Sequence, residues 1–217
     1  MTVIPFRTDA ETVTAIPGVV AHLEDGGLVA YPTETVYGLG SLARRADVEA
    51  LAQLKGRRLD KPFLLLISGR AMAEAQGLAF NASADALARA FWPGPLTLVL
   101  PGGGGRMPDI LRGPEGGIAV RWTSHPGIAR LVTALDQPLT STSANLPGAP
   151  PAPGADAVAR DFAEPVRSGR LLVLDGGVLG NRPPSTVVDC TRAQPRLVRP
   201  GAVPVAELRR AAGGLAP

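Results

Sequence analysis

Short apolar runs alternate with helical patterns along the whole chain, and this alternation limits the possible fold more than any other feature. After Asp25-Gly26-Gly27 the run LVAY (28–31) reads as a buried strand that ends at Pro32. FLLLI (63–67) is continuous rather than alternating, as expected of a strand in a sheet covered on both faces. TLVL (97–100), GIAVRW (117–122), LLVLD, STVVD and PRLVR supply further strands, and PLTSTSAN starts as one before becoming a polar loop. Between them, residues 11–24 put Val13, Ile16, Val19, Val20 and Leu23 at helical spacing, with Pro17 as an early kink or the true start. ADVEALAQL (46–54), a Ser83-capped segment through Trp92, GADAVARDF and VPVAELRRA also read as helices. SHPGIARLVTAL (124–135) is another, with Ser124 as N-cap, His125 assisting the start and Pro126 in the first turn. No linker or fixed-period repeat interrupts the series. The pattern predicts a single α/β domain (α+β type) over residues 1–217, its core at about 10–200, with a twisted mixed β-sheet flanked by helices.

Composition narrows the setting. With 45% hydrophobic and 19% charged residues the chain can bury a core and is too apolar for disorder. No apolar run approaches the ~20 residues of a membrane span, and MTVIPFRTDAETV lacks the basic head and apolar stretch of a signal peptide. Cys190 is the only cysteine, which rules out an internal disulfide, so a cytoplasmic protein without a membrane partner is expected. His22 and His125 are far apart, and no HExxH, CxxC or calcium-loop pattern occurs, so no dedicated protein metal site is expected. The net charge of +3 permits an anionic partner without requiring one.

The basic residues are unevenly written. Twenty are arginines, and the two lysines, Lys55 and Lys61, both fall in LKGRRLDKPF. In so arginine-rich a chain a surviving lysine suggests a task for a compact, strongly hydrated ammonium, such as reaching a phosphate or carboxylate as a point charge. A solvated helix end is the plainer reading. If the chain runs extended after the helix, Lys55 and Arg57 point together as a polyphosphate clamp. GxxxxGK[ST] is absent, so any nucleotide must be held by side-chain cations and hydroxyls.

Other segments carry polar groups at strand ends. In YPTETVYGLG (31–40) Thr33, Glu34 and Thr35 directly follow a strand, while Gly38 and Gly40 let backbone approach a ligand. The alternative is a hydroxyl-rich turn bonding its own backbone. In STSAN, Ser141, Ser143 and Asn145 share one face if the segment stays extended. No GxSxG elbow accompanies these serines, which argues against a serine hydrolase. Arg121 ends an apolar strand and needs an anionic partner, either a structural carboxylate or that of a substrate. Ser185 and Thr186 open one strand and Arg199 closes another. PGGGG (101–105) is followed by no helix and reads as a surface hairpin rather than a phosphate loop.

Taken in order, YPTETVYGLG, KGRRLDKPF, FWPGPLTLVL, AVRWTSHP, TSTSAN and STVVD resemble the threonylcarbamoyl-AMP synthase family, built on the YrdC-like domain. The motifs span residues 28 to about 200, and six in register are far more specific than one. The resemblance implies a nucleotidyltransferase that converts L-threonine, bicarbonate or carbon dioxide, and ATP into L-threonylcarbamoyl-adenylate and pyrophosphate. The product would supply tRNA modification, with tRNA and a tRNA threonylcarbamoyl transferase complex as partners. Mg2+ would arrive with ATP. The resemblance further implies that Lys55 and Arg57 are catalytic and, with Lys61, Ser143, Asn145 and Arg199, bind ATP. Thr33, Arg121, Ser141 and Ser185 match threonine-binding positions.

The chain departs from the family pattern in places. Leu66 stands where some relatives carry a histidine, LPG follows the asparagine where many read LSG, and the length suggests the short, single-domain form. Two other readings compete. One is a carbamoyl-adenylate-forming relative, normally embedded in a longer chain; the other is a non-catalytic RNA-binding module, for which no base-stacking aromatic stripe is present.

Overall fold

A computed structural model describes residues 2–58, 61–180 and 182–216. Leu59 and Asp60 of KGRRLDKPF, Asn181 of the NRPPS turn, and the terminal Met1 and Pro217 of the expected domain lie outside the described residues. The strands are β1 (Val3–Pro5), β2 (Leu28–Tyr31), β3 (Gly38–Gly40), β4 (Leu64–Leu66), β5 (Leu96–Leu100), β6 (Ile118–Arg121), β7 (Leu139–Ser143), β8 (Leu171–Asp175), β9 (Thr186–Asp189) and β10 (Arg196–Arg199). The helices are α1 (Asp9–Glu24), α2 (Arg45–Lys55), α3 (Arg70–Ala75), α4 (Ala82–Phe91), α5 (Pro126–Leu135), α6 (Ala155–Asp161), α7 (Ala163–Arg167) and α8 (Val205–Ala212). The strands form one mixed sheet in the order β1-β8-β2-β3-β7-β4-β6-β5-β9-β10. The expected α/β fold with a mixed sheet flanked by helices is therefore the observed one.

Unequal cover of the two sheet faces creates the site. One face is sealed along its length: α2, α4, α6 and α8 bring Leu51, Leu87, Val158 and Leu208 into a cluster with Leu65, Leu98, Val120, Val173 and Val188. On the other face α1 and α5 cover only one end, packing Val19, Leu23, Ile128 and Leu131 against Val29, Tyr31, Leu66 and Leu174. Beyond them the same face is bare over β4, β6, β5 and β9. LVAY is buried at every position because both of its sides are covered. In β5 the leucines 96, 98 and 100 point into the core, whereas Thr97 and Val99 face the bare side.

Several local readings need correction. α1 starts at Asp9, with Pro17 inside it, because Thr8 and Glu11 form a reciprocal capping box. Asn81, not Ser83, caps α4: its Oδ1 accepts the Ala84 amide at 2.9 Å. His125, not Ser124, caps α5, accepting the Ile128 amide through Nδ1 at 3.4 Å. Gly38 and Gly40 belong to β3, which pairs antiparallel with β2; Gly38 lines the bare face and Gly40 does not. A Cβ at Gly40 would lie 2.2 Å from the Thr140 carbonyl oxygen, so this glycine serves strand packing rather than approach to a ligand.

Candidate active site

The bare face is a cleft of about 650 Å³. Thr33, Arg57, Lys61, Arg121, Ser141, Ser143, Ser185 and Arg199 all line it, so β6, β7, β10 and the loops leading into β3, β4 and β9 converge residues that are far apart in sequence. Lys55 and Asn145 do not line it. The GGGG run stays outside too; the nearby wall is formed by Gly113, Pro114 and Glu115.

One end is polar and closed. Arg121, at the end of β6, is only 4% exposed, and a guanidinium so placed needs compensation. Its Nη2 pairs with Glu34 Oε1 at 2.7 Å, both Nη atoms reach Thr35 Oγ1 at 3.2 Å, and Nε donates to the Gly94 carbonyl at 3.2 Å. Of the two partners open to Arg121, the structure supplies the structural carboxylate. Glu34 also accepts from Thr123 Oγ1 at 2.5 Å and from the Ser124 amide at 3.2 Å. Burial alone would raise the Glu34 carboxyl, but the Arg121 charge and these donors outweigh it and hold it below the usual range.

The hydroxyls at this end are ordered by one another. Thr33 Oγ1 donates to the Val36 carbonyl at 2.7 Å, so the 2.9 Å contact between the two threonines takes its hydrogen from Thr35. Thr33 also accepts the Thr35 and Val36 amides. The turn bonds its own backbone and lines the cleft at once. Thr97 and Ser185 share a hydrogen bond of 2.9 Å across β5 and β9.

The middle of the cleft is cationic. Arg57 lies over the Phe63 ring at 5.0 Å and donates to the carbonyls of Lys61 and Pro62 and to Thr142 Oγ1. Arg199 Nη2 donates to the Ser185 carbonyl at 2.8 Å and to Ser185 Oγ at 3.3 Å. Burial lowers the pKa of each cation, and each is lowered further by the next: Lys55 by Arg57, Arg57 by Arg199, and Arg199 by Arg121. For Lys55 the result is about 8. Among the described residues no carboxylate forms an ion pair with Lys55, Arg57 or Arg199. Such a chain of like charges is preorganised for a polyanion. Beyond it Val99, Ala119, Val187 and Val198 form an apolar floor, and Asp189 and Arg196 close the far end at 3.3 Å from each other.

Lys55 and Arg57 do not act as a pair. The backbone at Gly56 is left-handed (φ 57°) rather than extended, so the two side chains diverge. Lys55 Nζ turns to the carbonyls of Ser143 and Asn145 and to Asn145 Oδ1. Ser141 and Ser143 do share the cleft face, but Asn145 turns away to meet Lys55. Sequence reasoning placed Thr33, Glu34 and Thr35 together at a ligand-presenting strand end but gave a binding role to Thr33 alone, and it gave none to Thr97, Thr142 or Asp189. The polar Thr97 inside L-T-L-V-L was the available signal. Among the described residues no group of three His, Cys, Asp or Glu could hold a metal ion, and no helix is long and apolar enough to cross a membrane.

Fold and cleft together define a class: a mixed-sheet α/β protein whose bare face is furnished for a small polar group at one end and a polyanion beside it. Residues 21–201 match the Sua5/YciO/YrdC family model, described as telomere recombination, and the chain belongs to that family. It is similar to a threonylcarbamoyl-AMP synthase of Pyrococcus abyssi, at 36% identity over 88% of this chain and 55% of the relative. A threonylcarbamoyl-AMP synthase of Thiobacillus denitrificans is 40% identical over 81% of this chain and 90% of that one. The crystal structure of P. abyssi Sua5 complexed with L-threonine superimposes with a TM-score of 0.89 at 34% identity, covering all of this chain and 63% of that one. The chain thus spans little more than half of the Pyrococcus relative and nearly all of the Thiobacillus one.

Proposed function

We propose that the protein is a threonylcarbamoyl-AMP synthase, using L-threonine, bicarbonate and ATP and releasing pyrophosphate. The observation that carries this reading is the succession of like charges from Arg121 through Arg199 to Arg57, with a closed hydroxyl network at one end and an open cationic band next to it. Threonine occupies the hydroxyl end: its carboxylate faces Arg121, and Thr33, Ser141 and Ser185 surround the rest. Arg57, Lys61, Arg199 and Ser143 meet the phosphates of ATP, and the apolar floor takes the base. Lys55 and Asn145 belong to the wall of this nucleotide end rather than its lining.

The threonine nitrogen and bicarbonate form the N-carboxylate, with loss of water. A carbamate oxygen then attacks the α-phosphorus, and the bond to the β-phosphate oxygen breaks as pyrophosphate leaves. Negative charge grows on the departing phosphates, where the Arg57–Arg199 band stabilises it without reorganising. Mg2+ enters as the ATP complex and shares that task. No side chain needs to become covalently attached. The hydroxyl end fixes the amino acid in line with the α-phosphate, so positioning and electrostatics carry the catalysis. The product supplies tRNA modification in the cytoplasm, by way of a tRNA threonylcarbamoyl transferase complex. The test is pyrophosphate release by the purified chain: it should require both threonine and bicarbonate. Release that ignores threonine points instead to carbamoyl-adenylate chemistry.

A further inference from the structure

We infer that Lys55 is a positioning residue, which fastens the segment from Ser143 to Pro151 as one wall of the nucleotide end and does not itself touch the phosphates. The inference rests on the synthase reading for its kinetic consequence, though not for its geometry.

Lys55 is the last residue of α2 and only 7% exposed. Its ammonium has three hydrogens and three acceptors: the Ser143 carbonyl at 2.8 Å, Asn145 Oδ1 at 2.6 Å and the Asn145 carbonyl. Nothing remains for a ligand. Asn145 passes the constraint onward: Oδ1 also accepts from Ser143 Oγ at 2.6 Å, and Nδ2 donates to the Leu146 and Ala149 carbonyls. The segment is then closed by the Ala152 amide on the Ala144 carbonyl at 2.8 Å. Pro147 packs onto the helix end, where a Cβ at Gly56 would come within 3.3 Å of its ring. Ser143 and Pro151, at the two ends of the segment, both line the cleft.

The same geometry accounts for a lysine at this position in a chain that writes twenty of its 22 basic side chains as arginine. Three acceptors converge on one point. A tetrahedral ammonium satisfies them all, whereas the planar fork of a guanidinium sends its donors apart.

The variants Lys55→Met and Lys55→Arg test this directly. In the ligand-free protein, hydrogen exchange at the amides of Ala144, Ala149 and Ala152 should speed up about tenfold or more in both, with β2 amides unchanged. Affinity for Mg-ATP should fall about 10- to 100-fold in both, because buried acceptors lose their donor, while affinity for L-threonine alone stays as in the parent. Combined with Asn145→Ala, Lys55→Met should add little further loss, as expected of residues acting as one unit.

A variant-free measurement stands beside these. With 15N-labelled lysine only two side chains report, and the Lys55 ammonium should give a slowly exchanging signal before any ligand is added. A signal that emerges only with inorganic triphosphate overturns the inference. So does a Lys55→Arg protein that binds Mg-ATP normally, or free variants whose Ala144–Ala152 amides stay protected. The exchange and ammonium measurements use no substrate, so they judge the latch even if pyrophosphate release ignores threonine.

Discussion

The two ends of the cleft solve opposite problems with the same residue types. At the hydroxyl end Arg121 is buried but compensated, four of its five N–H donors engaged by Glu34, Thr35 and Gly94 and one Nη1 hydrogen left on the cleft side. At the cationic end Arg57 and Arg199 have, among the described residues, only neutral partners and each other's repulsion. One end is therefore rigid before a ligand arrives. The other holds charge that an incoming anion would neutralise. Under the proposed function, stability is concentrated at the first and binding energy at the second.

The largest effect should come from breaking the closed end. Arg121→Leu leaves Glu34 as an uncompensated, mostly buried carboxylate, and the expected loss is about 3–5 kcal/mol of unfolding free energy, read by chemical denaturation. Arg121→Leu with Glu34→Leu removes both charges and should recover much of that loss. A single variant that costs under about 1 kcal/mol would mean that the pair is solvated and the contrast with the other end is wrong.

At the open end the balance should reverse. Arg199→Met removes a repelling cation, so stability should change by less than about 1 kcal/mol, while Mg-ATP affinity falls about 10- to 100-fold. Raising the salt concentration should weaken Mg-ATP binding and leave threonine binding nearly unaffected, since the cationic band faces the open cleft. Equal salt sensitivity of the two ligands, measured by calorimetry, would erase the distinction.

The fold was largely legible in the sequence because buried strands such as LVAY and LLVLD announce themselves as apolar runs. The bare face was harder to see. Its signature is a single polar residue, Thr97, in an otherwise apolar strand, and only the placement of α1 and α5 shows which face stays open. Arg121 was found from its place at a strand end, but its partner Glu34 lies in a different loop, and no spacing rule joins the two. Lys55 was singled out by composition, and its direction was misread. An extended Lys-Gly-Arg would point both cations the same way, whereas the left-handed Gly56 turns them apart. Helix caps were misassigned by one or two residues, since Asn81 and His125 compete with nearby serines that suit the same position.

The finest test of the contrast uses Lys55 as a proton gauge. Burial and the Arg57 charge bring its ammonium down to about 8 from an ordinary 10.5. Between those two values the unfolded chain holds the proton and the folded chain has released it. The unfolding free energy contributed by Lys55 therefore rises with pH through this window, is flat below it, and is flat again above it. The two tyrosines whose phenols are raised by burial, Tyr31 and Tyr37, titrate in any variant, so the difference between the parent and Lys55→Met isolates the lysine. That difference should move in the parent's favour between pH 8 and pH 10.5, by on the order of a few kcal/mol. Glu34, held low by Arg121 at the closed end, contributes nothing in this range, because its carboxylate is ionised in both states. A flat difference would show that the nucleotide end carries no unrelieved charge, and the two ends would then be alike in their electrostatics.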